Sequence, residues 1–179
     1  GQASKATSKG AVAKFAMGGK PGTKKDLGRI AMTYGSVYVA QVAMGANDGQ
    51  LIKAMTEAEA HKGPSIVIAY CHCIAHGIDM RKGLTQQKLA VDSGHWPLYR
   101  YNPALAEQGQ NPMQLDSREP TIPLKDYIYN ETRYRVLVQN DEARAQMLMQ
   151  EASELAQRKW ELYKQMAAMA YTQAEEPKE

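Results

Sequence analysis

Only two cysteines, Cys71 and Cys73, occur in the 179 residues, and a single residue separates them. Such a pair cannot lay out a disulfide framework, which points to a reducing, cytoplasmic setting. Long apolar runs are missing as well. None approaches the roughly 18 to 20 residues that span a bilayer, so no membrane contact is expected. The opening Gly1-Gln2-Ala3-Ser4-Lys5 has no apolar stretch of the secretory type. No Met stands first, which reads as a cut or processed start. Acidic side chains are nearly absent at the beginning, where Lys5, Lys9, Lys14, Lys20, Lys24, Lys25 and Arg29 face Asp26 alone. A basic segment of this kind suits nucleic acid, an acidic protein or a diphosphate. Phe15 is its only ring, however, so the interleaved aromatics of single-strand binders are absent and a solvated loop is the expectation, with no nucleic-acid partner.

What is present is ordinary for a globular chain: 44% hydrophobic and 23% charged residues, with a net charge of +3. Residues 1 to 25 read as a long loop interrupted by Val12 to Ala16. A short helix follows from Asp26, its cap, through Tyr34 to Gly35. Ser36 to Ala43 is a β-branched run with little alternation, the pattern of a strand covered on both faces. Asn47 caps the next helix, Gln50 stands where a capping box would place it, and Leu51, Ile52, Met55 and Ala58 give an apolar face before Gly63-Pro64 ends it. Ser65 to Tyr70 is a second buried strand. Strand, helix and strand at this spacing make a βαβ unit with parallel strands and a right-handed crossover. A helix over 85–93 and a strand over 97–101 follow. Pro103, Pro112, Pro120 and Pro123 mark an irregular crossing, and from Asn140-Asp141 onward Leu148, Ala152, Leu155, Leu162, Met166 and Met169 recur at helical spacing, interrupted by Lys159. We expect this helix to pack on its own or a neighbouring domain, and the polar tail from Thr172 to fray.

The segment Tyr70-Cys71-His72-Cys73, with His76 beyond it, carries the most chemistry. It follows a strand, and in α/β sheets ligands gather at the carboxyl ends of strands. Three readings stand side by side. The group could ligate zinc, although one C-x-C without a second pair is incomplete. The cysteines could be small buried hydrophobes. Or one thiolate could be donated to an iron–sulfur cluster whose other ligands lie elsewhere. Spacing does not choose among them. Gly18-Gly19-Lys20-Pro21-Gly22 is not a phosphate loop, because Lys14 replaces the first required Gly and Pro21 follows the Lys. His95-Trp96 and Asp116-Ser117-Arg118-Glu119 read singly as structural groups.

Several stretches nevertheless resemble one family in order and spacing. They are Gly-Gln-Ala-Ser-Lys-Ala-Thr (1 to 7), Gly-Ala-Val-Ala-Lys-Phe-Ala (10 to 16), Lys-Lys-Asp-Leu-Gly-Arg-Ile-Ala-Met-Thr-Tyr-Gly (24 to 35), the cysteine segment Pro-Ser-Ile-Val-Ile-Ala-Tyr-Cys-His-Cys (64 to 73), Gly-His-Trp-Pro-Leu-Tyr-Arg-Tyr-Asn-Pro (94 to 103) and Gln-Asn-Pro-Met-Gln-Leu-Asp-Ser-Arg (110 to 118). Together they resemble the thiamine-diphosphate-binding domain of pyruvate:ferredoxin (flavodoxin) oxidoreductases, closely to about residue 120 and loosely afterwards. The resemblance implies an α/β fold, a parallel sheet with flanking helices forming part of the thiamine-diphosphate-binding domain over 1–120, and a mainly helical extension over 121–179.

It also implies that the chain is a fragment of an enzyme that oxidatively decarboxylates pyruvate to acetyl-CoA and CO2. In that family thiamine diphosphate, Mg2+ and 4Fe–4S clusters serve the reaction, with coenzyme A as acetyl acceptor and ferredoxin or flavodoxin as electron acceptor. By the same resemblance Cys73 matches the last ligand of the cluster nearest the thiamine, Cys71 is a bystander, and Gly1 and Gln2 form the edge of the cofactor loop. The Gly-Asp-Gly segment for Mg2+, the diphosphate ligands and the other cluster cysteines lie outside these residues. No catalytic residue is assigned, the chain alone is expected to be inactive, and the complete enzyme is expected to be a homodimer. The alternative is a stand-alone binding or docking module that uses the basic N-terminus or the C-terminal helix.

Overall fold

The computed structural model describes residues 2–171. The expectation that the tail from Thr172 frays lies outside them. After an irregular arm over 2–26 come helix α1 (Leu27–Met32), strand β1 (Tyr38–Val42), helix α2 (Asp48–Ala60) and strand β2 (Ser65–Ala69). Next are helix α3 (Gly83–Asp92), strand β3 (Tyr99–Tyr101), the short helix α4 (Ala104–Glu107) and strand β4 (Met113–Leu115). Helices α5 (Leu124–Ile128), α6 (Thr132–Asn140) and α7 (Glu142–Ala167) complete the order.

The four strands form one open sheet in the order β2-β1-β3-β4. β1 and β2 run parallel, with Tyr38 opposite Ser65 and Val42 opposite Ala69, as the βαβ reading requires. The α/β architecture with flanking helices and a C-terminal helix is therefore present. The sheet is mixed, however, because β3 runs antiparallel to β1 and β4 antiparallel to β3. The turn that allows this is local. Gly94, at a φ of 72°, sends the chain back after α3, and β3 enters the sheet from the opposite end.

Alternation along β1 builds two faces. Tyr38, Ala40 and Val42 pack with Ala54, Leu51 and Ala58 of α2. Val39 turns the other way, toward Ala31 and Met32 of α1, Tyr99, and Tyr163 and Met166 of α7. The α2 face also holds an ion triad. Arg100, almost fully buried, grips Asp116 through two nitrogens at 2.9 and 2.8 Å and pairs with Glu57, which accepts from Tyr38 Oη at 3.0 Å. A bidentate guanidinium is well matched to a carboxylate that has lost water.

Three local expectations are corrected. Asn47 Oδ1 does accept from the Gln50 N–H at 2.9 Å, but the Gln50 amide turns inward to Asp116, so the reciprocal half of the capping box is absent. Ile52 and Met55 are exposed, and Ala54 takes their place on the buried side of α2. β2 is half-buried rather than buried, being an edge strand of the sheet. Strand β4, within the proline-rich crossing, had no sequence signal beyond three residues.

Arg100→Met leaves two partly buried carboxylates without their counter-ion, and removing one partner of such a group costs about 3 kcal/mol. A lowered urea midpoint with an unchanged slope is the expected result. A midpoint equal to that of the parent protein would mean that the triad carries no stability.

Candidate functional site

Strand β2 ends at Ala69, two residues before the first cysteine, and the chain leaves the sheet at its carboxyl edge. Tyr70 N–H still donates to Val42 O at 2.9 Å, which fixes the exit beside the end of β1. Cys71 is exposed and Cys73 half-buried, and neither is bonded to the other. The alternation that would set both thiols on one face applies only inside a strand, so it does not govern them. A 3-10 turn over Ile74–His76 follows and closes at Gly77, whose φ is 71°. Met44-Gly45, at the end of β1, shares this edge. The Gln87 side chain accepts from Gly45 N–H at 2.8 Å and lies 3.2 Å from His72 Nδ1, tying the cysteine segment to both β1 and α3.

The far side of the segment is held by the α5–α6 corner. Glu131, with no exposed surface, is paired with Arg133 and accepts from Gln86 Nε2 at 3.2 Å. Tyr70 Oη lies 2.6 Å from Tyr127 Oη and donates to Glu131 Oε1 at 3.4 Å. Burial is the main reason both phenols titrate well above their ordinary value, and the Glu131 charge adds to it. Thr132 then donates twice to Gly77 O, from its N–H at 3.1 Å and its hydroxyl at 2.8 Å. His76 Nδ1 is buried without a partner among the described residues. Burial, reinforced by Arg133, lowers its pKa, so the ring is neutral near pH 7.

The N-terminal arm reaches the same corner. Val12 N–H donates to Arg133 O at 2.9 Å, and Ala11 packs in the cluster that holds Ala43, Tyr70 and Tyr127. Of the two cofactor-loop residues named from the sequence, Gly1 lies outside the described residues. Gln2 is exposed and bridges to Lys14 across a turn of the arm. The arm, the end of β1 and the cysteine segment thus converge on one end of the sheet. The basic side chains of the arm are not simply solvated. Lys20 Nζ donates to Ser4 O and Thr7 O, and Lys24 Nζ to Ala6 O.

A metal or cluster requires several donors together. Among the described residues no group of three His, Cys, Asp or Glu side chains is close enough to hold an ion. A complete zinc site is therefore not built here, and a whole iron–sulfur cluster does not fit. Cys73, half-buried beside the exposed Ile74, offers a single sulfur donor, which suffices for a metal group only when the other ligands come from elsewhere. Glu131, Arg133 and Gln87 were invisible as site residues in the sequence. They sit more than ten positions from the cysteines, Glu131 just before α6, Arg133 within it and Gln87 in α3, where the spacing shows only amphipathic character. Asp116 and Glu119 are structural as expected, bound to Arg100 and Lys164.

Gly77→Ala places a Cβ 2.4 Å from Thr132 Cβ at a positive φ. The substitution should cost about 1–3 kcal/mol and loosen the loop. Faster amide exchange over 71–77 with unchanged protection in β1 would show this, and unchanged exchange across the loop would refute the brace.

No family profile matches the chain. Individual proteins do. The chain is 56% identical over 173 residues to the pyruvate-flavodoxin oxidoreductase of Trichormus variabilis, a match covering 97% of the chain and 14% of that protein. It is 52% identical over 167 residues to the pyruvate:ferredoxin oxidoreductase of Moorella thermoacetica, covering 93% and 14%. With the pyruvate-flavodoxin oxidoreductase of Rhodospirillum rubrum the identity is 48% over 171 residues, covering 95% and 14%. The chain spans about 14% of the length of these relatives. Along nearly all of its own length, then, it is similar to one segment of the pyruvate-flavodoxin and pyruvate:ferredoxin oxidoreductases.

Proposed function

We propose that the chain is one segment of a 2-oxoacid oxidoreductase, oxidising pyruvate to acetyl-CoA and CO2 and passing electrons to flavodoxin or ferredoxin. The observation that carries this reading is 56% identity over 97% of the chain to a protein named pyruvate-flavodoxin oxidoreductase. In this reading 1–120 belongs to the thiamine-diphosphate-binding domain and 121–179 is its helical extension. A thiamine cofactor with Mg2+ would cleave the 2-oxo acid, and clusters would accept the electrons. The chain's own part is to present Cys73 as one cluster ligand, with Gly1 and Gln2 at the rim of the cofactor loop. Coenzyme A, the remainder of the enzyme, a second copy in a homodimer, and flavodoxin or ferredoxin are the partners, in the cytoplasm.

The surface around the cysteines supports the reading. Ile74 is 75% exposed beside Cys73, and Met44, Met80 and Leu84 are about half exposed at the same end of the sheet. Gly45 is pressed against the Leu84 backbone, which brings Met44 and Leu84 together. Apolar groups gathered round a polar functional loop mark a contact surface. A larger protein would cover this rim and supply the missing ligands. No helix among the described residues is long and apolar enough to cross a membrane. The competing reading, a non-catalytic docking module, has the same apolar rim but no use for a braced cysteine.

Two outcomes test this. In the full-length oxidoreductase, Cys73→Ser should lose or convert one 4Fe–4S centre, seen in the iron content and the electron paramagnetic spectrum. Cys71→Ser should leave both nearly unchanged. Equal loss in both variants would overturn the assignment of Cys73. The 179-residue chain alone should not bind thiamine diphosphate and Mg2+ tightly. A micromolar dissociation constant by calorimetry, about 8 kcal/mol of binding, would refute the segment reading.

A further inference from the structure

A cavity of about 310 Å3 opens between the N-terminal arm, α1 and α7, and no residue of the cysteine segment over 70–77 lines it. Leu124, Ile128, Leu155 and Leu162 make its apolar wall. The polar side carries an excess of positive charge. Lys9 is paired with Glu151, Lys159 with Asp26 at 3.4 Å, and Arg158 with Glu154. Lys24 and Arg29 also line the cavity and have no carboxylate partner among the described residues. Lys24 makes one hydrogen bond, to Ala6 O at 2.8 Å, and sits 5.9 Å from the Trp96 ring. Burial, then the Lys159 and Arg133 charges, holds its pKa below the ordinary lysine value.

His95 adds a neutral polar group. Its ring leans on Tyr127 at 4.8 Å and borders the cavity. Burial drives its pKa down to about 3, assisted by Arg133, Lys159 and Lys24, so it is neutral near pH 7 with an N–H to give. The Tyr134 hydroxyl, buried beside Ser8 at the cavity wall, makes no well-formed hydrogen bond. An apolar pocket with a few convergent polar groups is the common form of a small-molecule site, and 300 Å3 is at the lower end of the usual size. A lysine and an arginine without a carboxylate partner among the described residues, beside carboxylates that are already paired, leave this hollow with a net positive side, which selects an anion as its ligand.

We propose that this cavity binds a small organic anion, a carboxylate or phosphate carried on an apolar body, recognised by Lys24, Arg29 and His95. The acidic head sits between the two cations and the imidazole, and the apolar body lies along Leu155 and Leu162. The inference is independent of the role given to Cys73.

Trp96, next to His95 and under Lys24, is a built-in reporter. In the full-length oxidoreductase, hexanoate should change the tryptophan emission saturably in the millimolar range, and Trp96→Phe should remove that change. Acetate should bind at least about tenfold more weakly, because it lacks the methylenes that the apolar wall covers. Lys24→Met and Arg29→Gln should each weaken hexanoate binding about tenfold or more. Arg29 is exposed and its side chain makes no hydrogen bond among the described residues, so Arg29→Gln should leave the fold intact and isolate the contribution of recognition. Equal binding of the two acids, or binding unaffected by Arg29→Gln, would overturn the proposal. In crystals of the full-length oxidoreductase soaked with selenate, anomalous density beside Lys24 and His95 supports a small-anion site. An Asp or Glu side chain of the rest of the protein occupying that position would overturn it.

Discussion

The fully buried carboxylate of Glu131 is the constraint on which the functional end of the molecule depends. A charge without water must be paired and hydrogen-bonded, or it costs several kcal/mol. Glu131 meets that demand with Arg133, Gln86, Tyr127 and Tyr70, which come from α6, α3, α5 and the residue before Cys71. Satisfying one carboxylate thus requires three helices and the end of β2 to hold a single arrangement. The exit of the cysteine segment is set by the same demand, since Tyr70 belongs to the network and Thr132, next to Glu131, binds Gly77. Apolar packing alone would tolerate sliding along this corner. The directional bonds do not.

The same logic explains the basic arm. A loop of some 25 residues is long for a compact domain and needs a source of order. Here its lysines supply it by donating to backbone carbonyls of the arm itself. Lys20 reaches Ser4 and Thr7, and Lys24 reaches Ala6. Each ammonium satisfies carbonyls that no helix or strand would satisfy. Lysine is therefore used as a three-way donor as much as a charge, and the sequence reading of a solvated loop missed this because composition does not show where a long side chain folds back.

Much of the frame was nevertheless legible. The parallel β1–β2 pair follows from two β-branched runs separated by a capped helix, and Asp26, Asn47 and Asp141 each accept at the helix starts where their chemistry places them. The antiparallel entry of β3 was not legible, because Tyr99-Arg100-Tyr101 carries no directional signal and orientation is decided by the turn after α3. The buried face of α2 was misassigned for a related reason. Hydrophobicity favours Met55 over Ala54, but α2 lies close to β1, and only the small side chain fits beneath it. The site was half legible. Cys73 and the carboxyl edge of β2 stand out in the sequence, whereas Glu131 and Arg133 are drawn to it only by tertiary structure.

The ion triad and the cysteine segment are finished to different degrees. Around Glu57, Arg100 and Asp116 the charges are paired, and Tyr38, Ala40, Val42 and Ala54 beside them are covered. At the carboxyl edge, Met44, Ile74 and Leu84 face outward beside a cysteine that has no metal-binding companions among the described residues. A stand-alone domain would be under pressure to make such a rim polar, since exposed apolar surface invites association. Bracing a loop so firmly while leaving its rim apolar makes physical sense when the loop must meet another surface in one fixed register. Rigidity on the inside and adhesion on the outside are then two requirements of the same joint.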